Sequence, residues 1–206
     1  MLILKGYYFI TDETLSRMGN LHDVERAVAT GVKIVQYRNK SGTTREMIEE
    51  ASKLRTICKD IHFIVNDRLD VALAAEADGV HIGSADAPFE SARKLLGENK
   101  IIGVTARNVL EALEAESQGA DYVGASPIFA TGTKSDAGAP AGCALIADMK
   151  KVLKVPVVAI GGINLANAAE VIDAGADALC AISAVVASED VAGEIRKFQE
   201  LFGRNK

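Results

Sequence analysis

A unit made of a helical segment, a glycine and a short apolar strand recurs along the chain and constrains the fold most strongly. Four such units occur, at 31–36, 78–83, 119–124 and 175–180. In each, a glycine at the first or second position is followed by a short β-rich run. Four further apolar runs lie between these units, at 7–11, 62–66, 101–105 and 156–160. Glycine commonly follows the last residue of a helix, so we expect each of the four glycines to end the preceding helix. The chain therefore alternates eight predicted strands with helical segments.

The apolar character of these strands predicts an α/β fold. Continuously apolar runs are typical of strands that are buried on both faces of a parallel sheet. Eight strand–helix units in 206 residues fit a single (β/α)8 TIM barrel near the lower size limit of that fold. A doubly wound open sheet is the structural alternative. No linker, charge block or low-complexity segment divides the sequence, so we expect one domain over residues 1–206.

Charge and hydropathy narrow the classes of partner. The formal net charge of −5 argues against nucleic acid or an anionic membrane surface as the main partner. The sequence has no apolar run of the length that a membrane-spanning helix needs, and its N-terminus lacks a signal-peptide pattern. We therefore expect a cytoplasmic protein with small-molecule partners, and leave open whether it forms a homo-oligomer.

Polar residues gather where the predicted strands end, which is where TIM barrels carry their active sites. Gln36, Arg38 and Lys40 alternate along one strand exit and would share a face. Two cations and a carboxamide suit a diphosphate together with the polar edge of a heterocycle. A solvated strand exit is the alternative.

Two aspartates follow neighbouring predicted strands and indicate a magnesium site. Asp67 and Asp86 would place two carboxylates at one rim of the barrel, and Mg²⁺ takes a few such ligands while bridging to substrate phosphate. Either aspartate could instead cap the helix that follows it. Asn66 would orient a diphosphate oxygen or stabilise the turn. His81 lies in the middle of a strand, so we expect it to be packed or hydrogen-bonded rather than a ligand.

Two loop segments predict phosphate binding. The loop 131–134 combines two threonine hydroxyls, a glycine and a lysine directly after a strand, a combination that suits phosphate or diphosphate. The glycine pair 161–162 and Ser183 follow the last two strands, the usual phosphate location in this fold. A surface loop and ordinary turn glycines are the respective alternatives.

Six motifs in this order resemble the thiamine phosphate synthase family over nearly the full length of the chain. They are YFITD at 8–12, QYRNK at 36–40, NDRLDVA at 66–72, DGVHIG at 78–83, PIFATGTK at 127–134 and VAIGGI at 158–163. The resemblance implies a Mg²⁺-dependent transferase that joins 4-amino-2-methyl-5-(diphosphooxymethyl)pyrimidine to a (carboxy)thiazole ethyl phosphate. The products would be thiamine monophosphate and pyrophosphate, formed through a pyrimidinylmethyl cation.

The resemblance also assigns roles to residues. The pyrimidine diphosphate site would comprise Gln36, Tyr37, Arg38, Asn39, Lys40, Asn66, Thr105 and Lys134. The thiazole phosphate site would comprise Thr131, Gly132, Thr133, Gly162, Ile182 and Ser183. The Mg²⁺ ligands would be Asp67 and Asp86. The catalytic residues would be Arg38, Lys40, Thr105 and Lys134.

Two other functions on the same barrel remain as alternatives. In the related thiazole tautomerases a histidine stands at the position of Pro127, and the metal-binding aspartates are missing. A non-catalytic regulator that binds a ligand would need neither two metal carboxylates nor two phosphate sites. Pro127, Asp67 and Asp86 therefore favour the synthase.

Overall fold

The structure is a computed structural model that describes residues 2–133 and 138–203. In these ranges nine parallel strands form one sheet, and helices connect nearly all of them. The strands are β1 (Gly6–Tyr7), β2 (Phe9–Ile10), β3 (Ile34–Tyr37), β4 (His62–Asn66), β5 (Gly79–Ile82), β6 (Ile101–Ala106), β7 (Tyr122–Ala125), β8 (Val157–Ile160) and β9 (Ala178–Cys180). The helices are α1 (Asn20–Ala29), α2 (Thr44–Ile57), α3 (Leu69–Ala74), α4 (Phe89–Leu96), α5 (Val109–Gln118), α6 (Cys143–Val152), α7 (Ala168–Asp173), α8 (Ile182–Val186) and α9 (Val191–Gly203). None of these helices has the length and apolar character needed to cross a membrane.

The sheet closes into a barrel because the first segment, 6–10, pairs with β9 on one side and with β3 on the other. β1 pairs with β9, where Gly6 lies opposite Ala178, and β2 pairs with β3, where Phe9 lies opposite Val35. Only Tyr8 separates β1 from β2, so the two short strands act as one. With β1 and β2 counted as one, the described residues form an eight-stranded barrel. This confirms the predicted (β/α)8 fold rather than the open sheet.

Side chains alternate along each strand and divide into two cores. Ile34 and Ile64 lie inside the barrel, whereas Val35 packs between the sheet and the helices. The next positions on the inward faces of these strands are Gln36 and Asn66. The barrel interior therefore changes from apolar to polar towards the C-terminal ends of its strands.

The predicted role of the repeated glycines is confirmed at three of the four positions. The three glycines that follow helices have left-handed backbone, with φ of 83°, 101° and 100° at Gly31, Gly119 and Gly175 respectively. The prediction was wrong for Gly79, which lies inside β5. A Cβ there would come within 2.7 Å of the backbone carbon of Ile101, so this glycine permits close strand contact. Glu76, with φ of 52°, supplies the left-handed residue after α3.

Candidate active site

Two adjoining cavities open at the C-terminal end of the barrel. The larger encloses about 850 Å³, including the part open to solvent. Its floor is formed by five inward-facing polar side chains: Tyr8, Gln36, His81, Thr105 and Tyr122. The smaller cavity, of about 530 Å³, is lined by Lys40, Asp67, Asp86, Arg107 and the loop 83–85. Arg38 and Asn66 line both cavities and therefore lie at their boundary.

Strand alternation brings only part of the predicted pyrimidine diphosphate site to these cavities. Gln36 and Thr105 line the larger cavity, and Lys40 lines the smaller. Tyr37 faces the helices instead, where its hydroxyl donates to Glu50 at 2.7 Å. The Asn39 side-chain oxygen accepts hydrogen bonds from the backbone of residues 41 and 42 and stabilises a turn. Lys134 lies outside the described residues.

Arg38 is held in place by a buried carboxylate. Its Nη1 donates to Asp12 Oδ2 at 2.7 Å, and its Nη2 donates to the carbonyl of Thr133 at 3.4 Å. Asp12 also accepts hydrogen bonds from the backbone N–H groups of Thr14 and Leu15, so its own position is fixed. A guanidinium has more N–H donors than these two contacts use. Arg38 is therefore oriented at the boundary of the cavities with donor capacity for an anion.

Asp67 and Asp86 come together at the rim, as predicted. Burial opposes ionisation of Asp67, but hydrogen bonds from Lys40 and Asp86 outweigh it and lower the pKa of this carboxyl. Burial and the contact with Asp67 raise the pKa of Asp86. The contact therefore favours the ionised form of Asp67 and opposes that of Asp86, as expected of two carboxyl groups that share one site.

The local backbone aims Asp67 at its partner. Asp67 has a φ of 61°, a left-handed conformation that aspartate tolerates better than most residues. Its N–H donates to the carbonyl of His81 at 2.8 Å, which ties the turn to the neighbouring strand. Asp86 is fixed from the other side, because its Oδ2 accepts from the N–H of Gly83 at 2.7 Å. Both carboxylates are thus positioned by backbone contacts.

These two carboxylates fit a magnesium ion. Mg²⁺ is usually held by one or two protein carboxylates, several waters and substrate phosphate. In residues 2–133 and 138–203 no group of three or more His, Cys, Asp or Glu side chains is arranged around a single point. The two carboxylates at the rim are donors of the kind that a small, hard cation takes, with its other ligands coming from water or substrate.

Five of the six predicted thiazole phosphate residues line the larger cavity. Those that line it are Thr131, Thr133, Gly162, Ile182 and Ser183, while Gly132 does not. Gly162 has a φ of 62°, and a Cβ there would lie 2.8 Å from Cβ of Phe129. Only glycine lets the segment 129–131 approach this closely. Ile182 and Ser183 begin α8, whose first backbone N–H groups have no partner inside the helix.

The sequence reasoning missed the tyrosines of the floor. Tyr8 and Tyr122 are not among the predicted site residues, yet both are buried side chains that line the larger cavity. His81 is hydrogen-bonded, as expected, but to two other members of the floor. Alternate residues of a strand point to the same face, so Tyr122 shares the inward face of β7 with Gly124. This alternation is the sequence signal that indicates an inward-facing hydroxyl.

The chain is similar to known proteins over nearly its full length. The family described as thiamine monophosphate synthase matches residues 7–185. The thiamine-phosphate synthase of Methanosarcina barkeri is 54% identical over 201 residues, which cover 97% of this chain and 91% of the relative. The enzyme of the same description from Chloroflexus aurantiacus is 50% identical, with coverage of 94% and 91%. A solved structure of thiamine phosphate pyrophosphorylase from Pyrococcus furiosus superposes with a TM-score of 0.89 at 41% identity, covering 98% of this chain and 96% of that one. The chain therefore belongs to the thiamine monophosphate synthase family.

Proposed function

We propose that the protein joins 4-amino-2-methyl-5-(diphosphooxymethyl)pyrimidine to a (carboxy)thiazole ethyl phosphate, giving thiamine monophosphate and pyrophosphate, together with CO₂ where the thiazole carries the carboxyl group. Membership of the family and 54% identity to a thiamine-phosphate synthase make it a transferase of thiamine biosynthesis. The observation that carries the finer proposal is the junction of the two cavities at Arg38 and Asn66. A heterocycle bonded to a diphosphate needs a ring-sized space directly beside a cluster of cations and metal-binding carboxylates.

The larger cavity suits the two rings. Gln36 and Thr105 offer hydrogen-bonding groups for the polar edge of the pyrimidine, while Val158 and Ile160 supply apolar wall. In the same cavity, the backbone around Gly162 and Ser183 would bind the thiazole phosphate, since N–H groups at a helix start favour anions. The phosphate would then fix the thiazole nitrogen against the pyrimidinyl carbon, which replaces a chance encounter by a set geometry.

The smaller cavity suits the leaving diphosphate. Arg38 and Lys40 place two positive charges beside it, and Lys134 is proposed from the sequence motif to add a third. As the carbon–oxygen bond of the pyrimidinylmethyl diphosphate breaks, the electron pair leaves with pyrophosphate, and these cations stabilise the growing charge. Mg²⁺ held by Asp67 and Asp86 would neutralise further charge on the same group. The thiazole nitrogen then donates its lone pair to the carbon, so no side-chain nucleophile is required.

The cellular location and the binding partners of the enzyme are part of this proposal. We place it in the cytoplasm with small-molecule substrates as its partners. The net charge of −5 disfavours nucleic acid and anionic membranes as binding partners. A homo-oligomer is compatible with the barrel.

Incubation of the purified protein with both substrates tests the proposal. We expect pyrophosphate and thiamine monophosphate to form only when both substrates and Mg²⁺ are present, and to stop when a chelator is added. Isomerisation of the thiazole substrate without the pyrimidine would instead identify a tautomerase. Binding of both substrates without turnover would identify a regulator.

A further inference from the structure

The five side chains of the floor form one continuous chain of hydrogen bonds across the barrel interior. Gln36 Nε2 donates to the hydroxyl of Tyr8 at 2.9 Å, and that hydroxyl lies 2.8 Å from the hydroxyl of Tyr122. Tyr122 in turn lies 3.0 Å from His81 Nδ1, and His81 Nε2 lies 2.8 Å from Oγ1 of Thr105. The ends of this chain are the two groups assigned to the pyrimidine edge. The mechanism above gives its three middle members no role.

The backbone of the barrel is shaped around the middle of this chain. A Cβ at Gly103 would overlap the ring and hydroxyl of Tyr122, and a Cβ at Gly124 would lie 3.2 Å from Cε1 of His81. The rings of His81 and Tyr122 stack with centroids 5.5 Å apart. Tyr8 and Tyr122 are each 1% exposed, so their hydroxyls are buried against their partners in the floor. The order of partners along the chain is therefore fixed.

Donor and acceptor chemistry gives the chain a direction. The Gln36 NH₂ group can only donate, so the Tyr8 oxygen accepts and the single Tyr8 proton goes to Tyr122. Burial raises the pKa of both phenols well above its ordinary value, so both keep their protons. Tyr122 then donates to His81 Nδ1, which must be unprotonated, and the proton of the neutral imidazole resides on Nε2. That N–H donates to Thr105, whose own hydroxyl proton is left for the cavity.

We propose that Tyr8, Tyr122 and His81 are positioning residues, which hold His81 as the neutral Nε2–H tautomer and thereby set the hydrogen-bonding polarity of Gln36 and Thr105. Gln36 presents its carboxamide oxygen as an acceptor, and Thr105 presents its hydroxyl as a donor. This polarity selects a nitrogen heterocycle that carries an amino group next to an unprotonated ring nitrogen. The inference rests on the proposed function for its ligand, but the tautomer is a property of the protein alone.

The tautomer can be read directly by NMR. The protein has three histidines. The double variant His22→Gln/His62→Gln leaves His81 as the only imidazole and changes no residue of the floor. Long-range ¹H–¹⁵N spectra of the labelled protein, recorded well above the usual imidazole pKa of about 6.5, should show a single Nε2–H tautomer. Adding Tyr122→Phe removes the hydroxyl donor to Nδ1 and should give a mixture of tautomers. An Nδ1–H tautomer in the parent, or a spectrum unchanged by Tyr122→Phe, would overturn the proposal.

Kinetics supply a second readout with a matched control. Tyr122→Phe should raise the KM for the pyrimidine diphosphate about tenfold, the scale of one weakened hydrogen-bonding arrangement, and leave the thiazole phosphate KM unchanged. Tyr7→Phe removes an equally buried hydroxyl, which donates to the carbonyl of Ala181 at 3.1 Å outside the floor, and should leave both constants unchanged. Equal effects of the two variants, or a change in the thiazole KM alone, would contradict a positioning role. If Tyr122→Phe fails to fold, Tyr8→Phe breaks the same chain one step away.

The two proposals fail in different ways. Absence of pyrophosphate release in the parent protein, with the Nε2–H tautomer observed, would remove the function and leave the hydrogen-bond chain standing. Synthase activity together with an Nδ1–H tautomer would remove the positioning proposal alone.

Discussion

At the N-terminal end of the barrel each of three aspartates has its own backbone N–H and its own cationic side chain as partners, whereas at the C-terminal end two aspartates contact each other. Each N-terminal carboxylate accepts a backbone N–H of the neighbouring strand at 2.8 Å and pairs with a cation from a helix or its end. The sets are Asp78 with Phe63 and Arg55, Asp121 with Ile102 and Arg93, and Asp177 with Val157 and Lys150. At the other end Asp67 and Asp86 are in contact and share Lys40.

The difference shows how one residue type serves two purposes. A carboxylate that is matched by its own cation and N–H stabilises the folded chain, because its charge is compensated where it lies. Two carboxylates in contact are only partly compensated, so they favour any cation that can enter between them. The N-terminal set therefore ties helices to strands, and the C-terminal pair is available to a metal.

The arginines follow the same division. Arg93 donates to the carbonyls of Gly97, Lys100 and Gly119 and to the carboxylate of Asp121, so the protein itself occupies its donors. Arg38 is oriented by Asp12 but keeps donor capacity towards the cavities. A guanidinium that is both oriented and incompletely used suits a diphosphate.

The largest difference between the two ends of the barrel is expected when one aspartate at each end is replaced by asparagine. Asp67→Asn should lower kcat at least about a hundredfold, the scale of one lost electrostatic contribution to a charged leaving group. It should change the free energy of unfolding by less than about 1 kcal/mol, since the loss of the partly exposed ion pair with Lys40 is offset by relief of the repulsion from Asp86. Asp78→Asn should leave kcat within about twofold but lower the free energy of unfolding by about 1–3 kcal/mol, the range for hydrogen bonds to charged groups.

Steady-state pyrophosphate release and urea unfolding measure these two quantities. A normal kcat in Asp67→Asn with a chelator present would show that the C-terminal pair holds no functional metal. A large loss of kcat in Asp78→Asn at unchanged stability would show that the two ends are not divided as described.

A smaller effect is expected from exchanging a left-handed glycine for alanine at each end. Gly162→Ala should raise the KM for the thiazole phosphate about tenfold, because the added Cβ would push away the segment 129–131. Gly175→Ala is the matched control: its φ is 100°, but the atom nearest to the added Cβ would be Cγ of Lys150 at 3.4 Å. It should cost about 1 kcal/mol of stability and leave both KM values unchanged. A raised KM for the pyrimidine diphosphate in Gly162→Ala would show that the two anion sites are reversed.

The sequence predicted the barrel well because its signals are local and repeated. All eight predicted strands are present in the described residues, since an apolar run after a helix end needs no long-range information. The error at Gly79 has a tertiary cause: this glycine is required by the approach of the neighbouring strand at Ile101, which a sequence repeat does not reveal.

The site was predicted less completely, for two physical reasons. Tyr37 and Asn39 stand in the same motif as Arg38, but alternation turns them away from the cavities. The hydrogen bonds from Tyr8 through Tyr122 to His81 join three separate strands, and their partners become evident only once the barrel closes. Sequence order gave the residue types at the rim, whereas the floor depends on which inward-facing side chains meet.

The smallest predicted effect concerns a single ion pair at the N-terminal end. Lys150 and Asp177 lie 2.7 Å apart, with side chains 31% and 30% exposed, and Asp177 would still accept the N–H of Val157 after the lysine is removed. Lys150→Gln should therefore lower the free energy of unfolding by only about 0.5–1 kcal/mol, and by less in high salt, where exposed charges are screened. The kcat and both KM values should stay within about twofold of the parent, because the pair lies at the end of the barrel away from the cavities.

Urea unfolding at low and high salt, alongside the pyrophosphate assay, provides the measurement. A stability change that is independent of salt would mean that the lysine acts through packing of its alkyl chain against α7 and the following turn rather than through its charge. A changed kcat would mean that the N-terminal end contributes to more than the stability of the barrel.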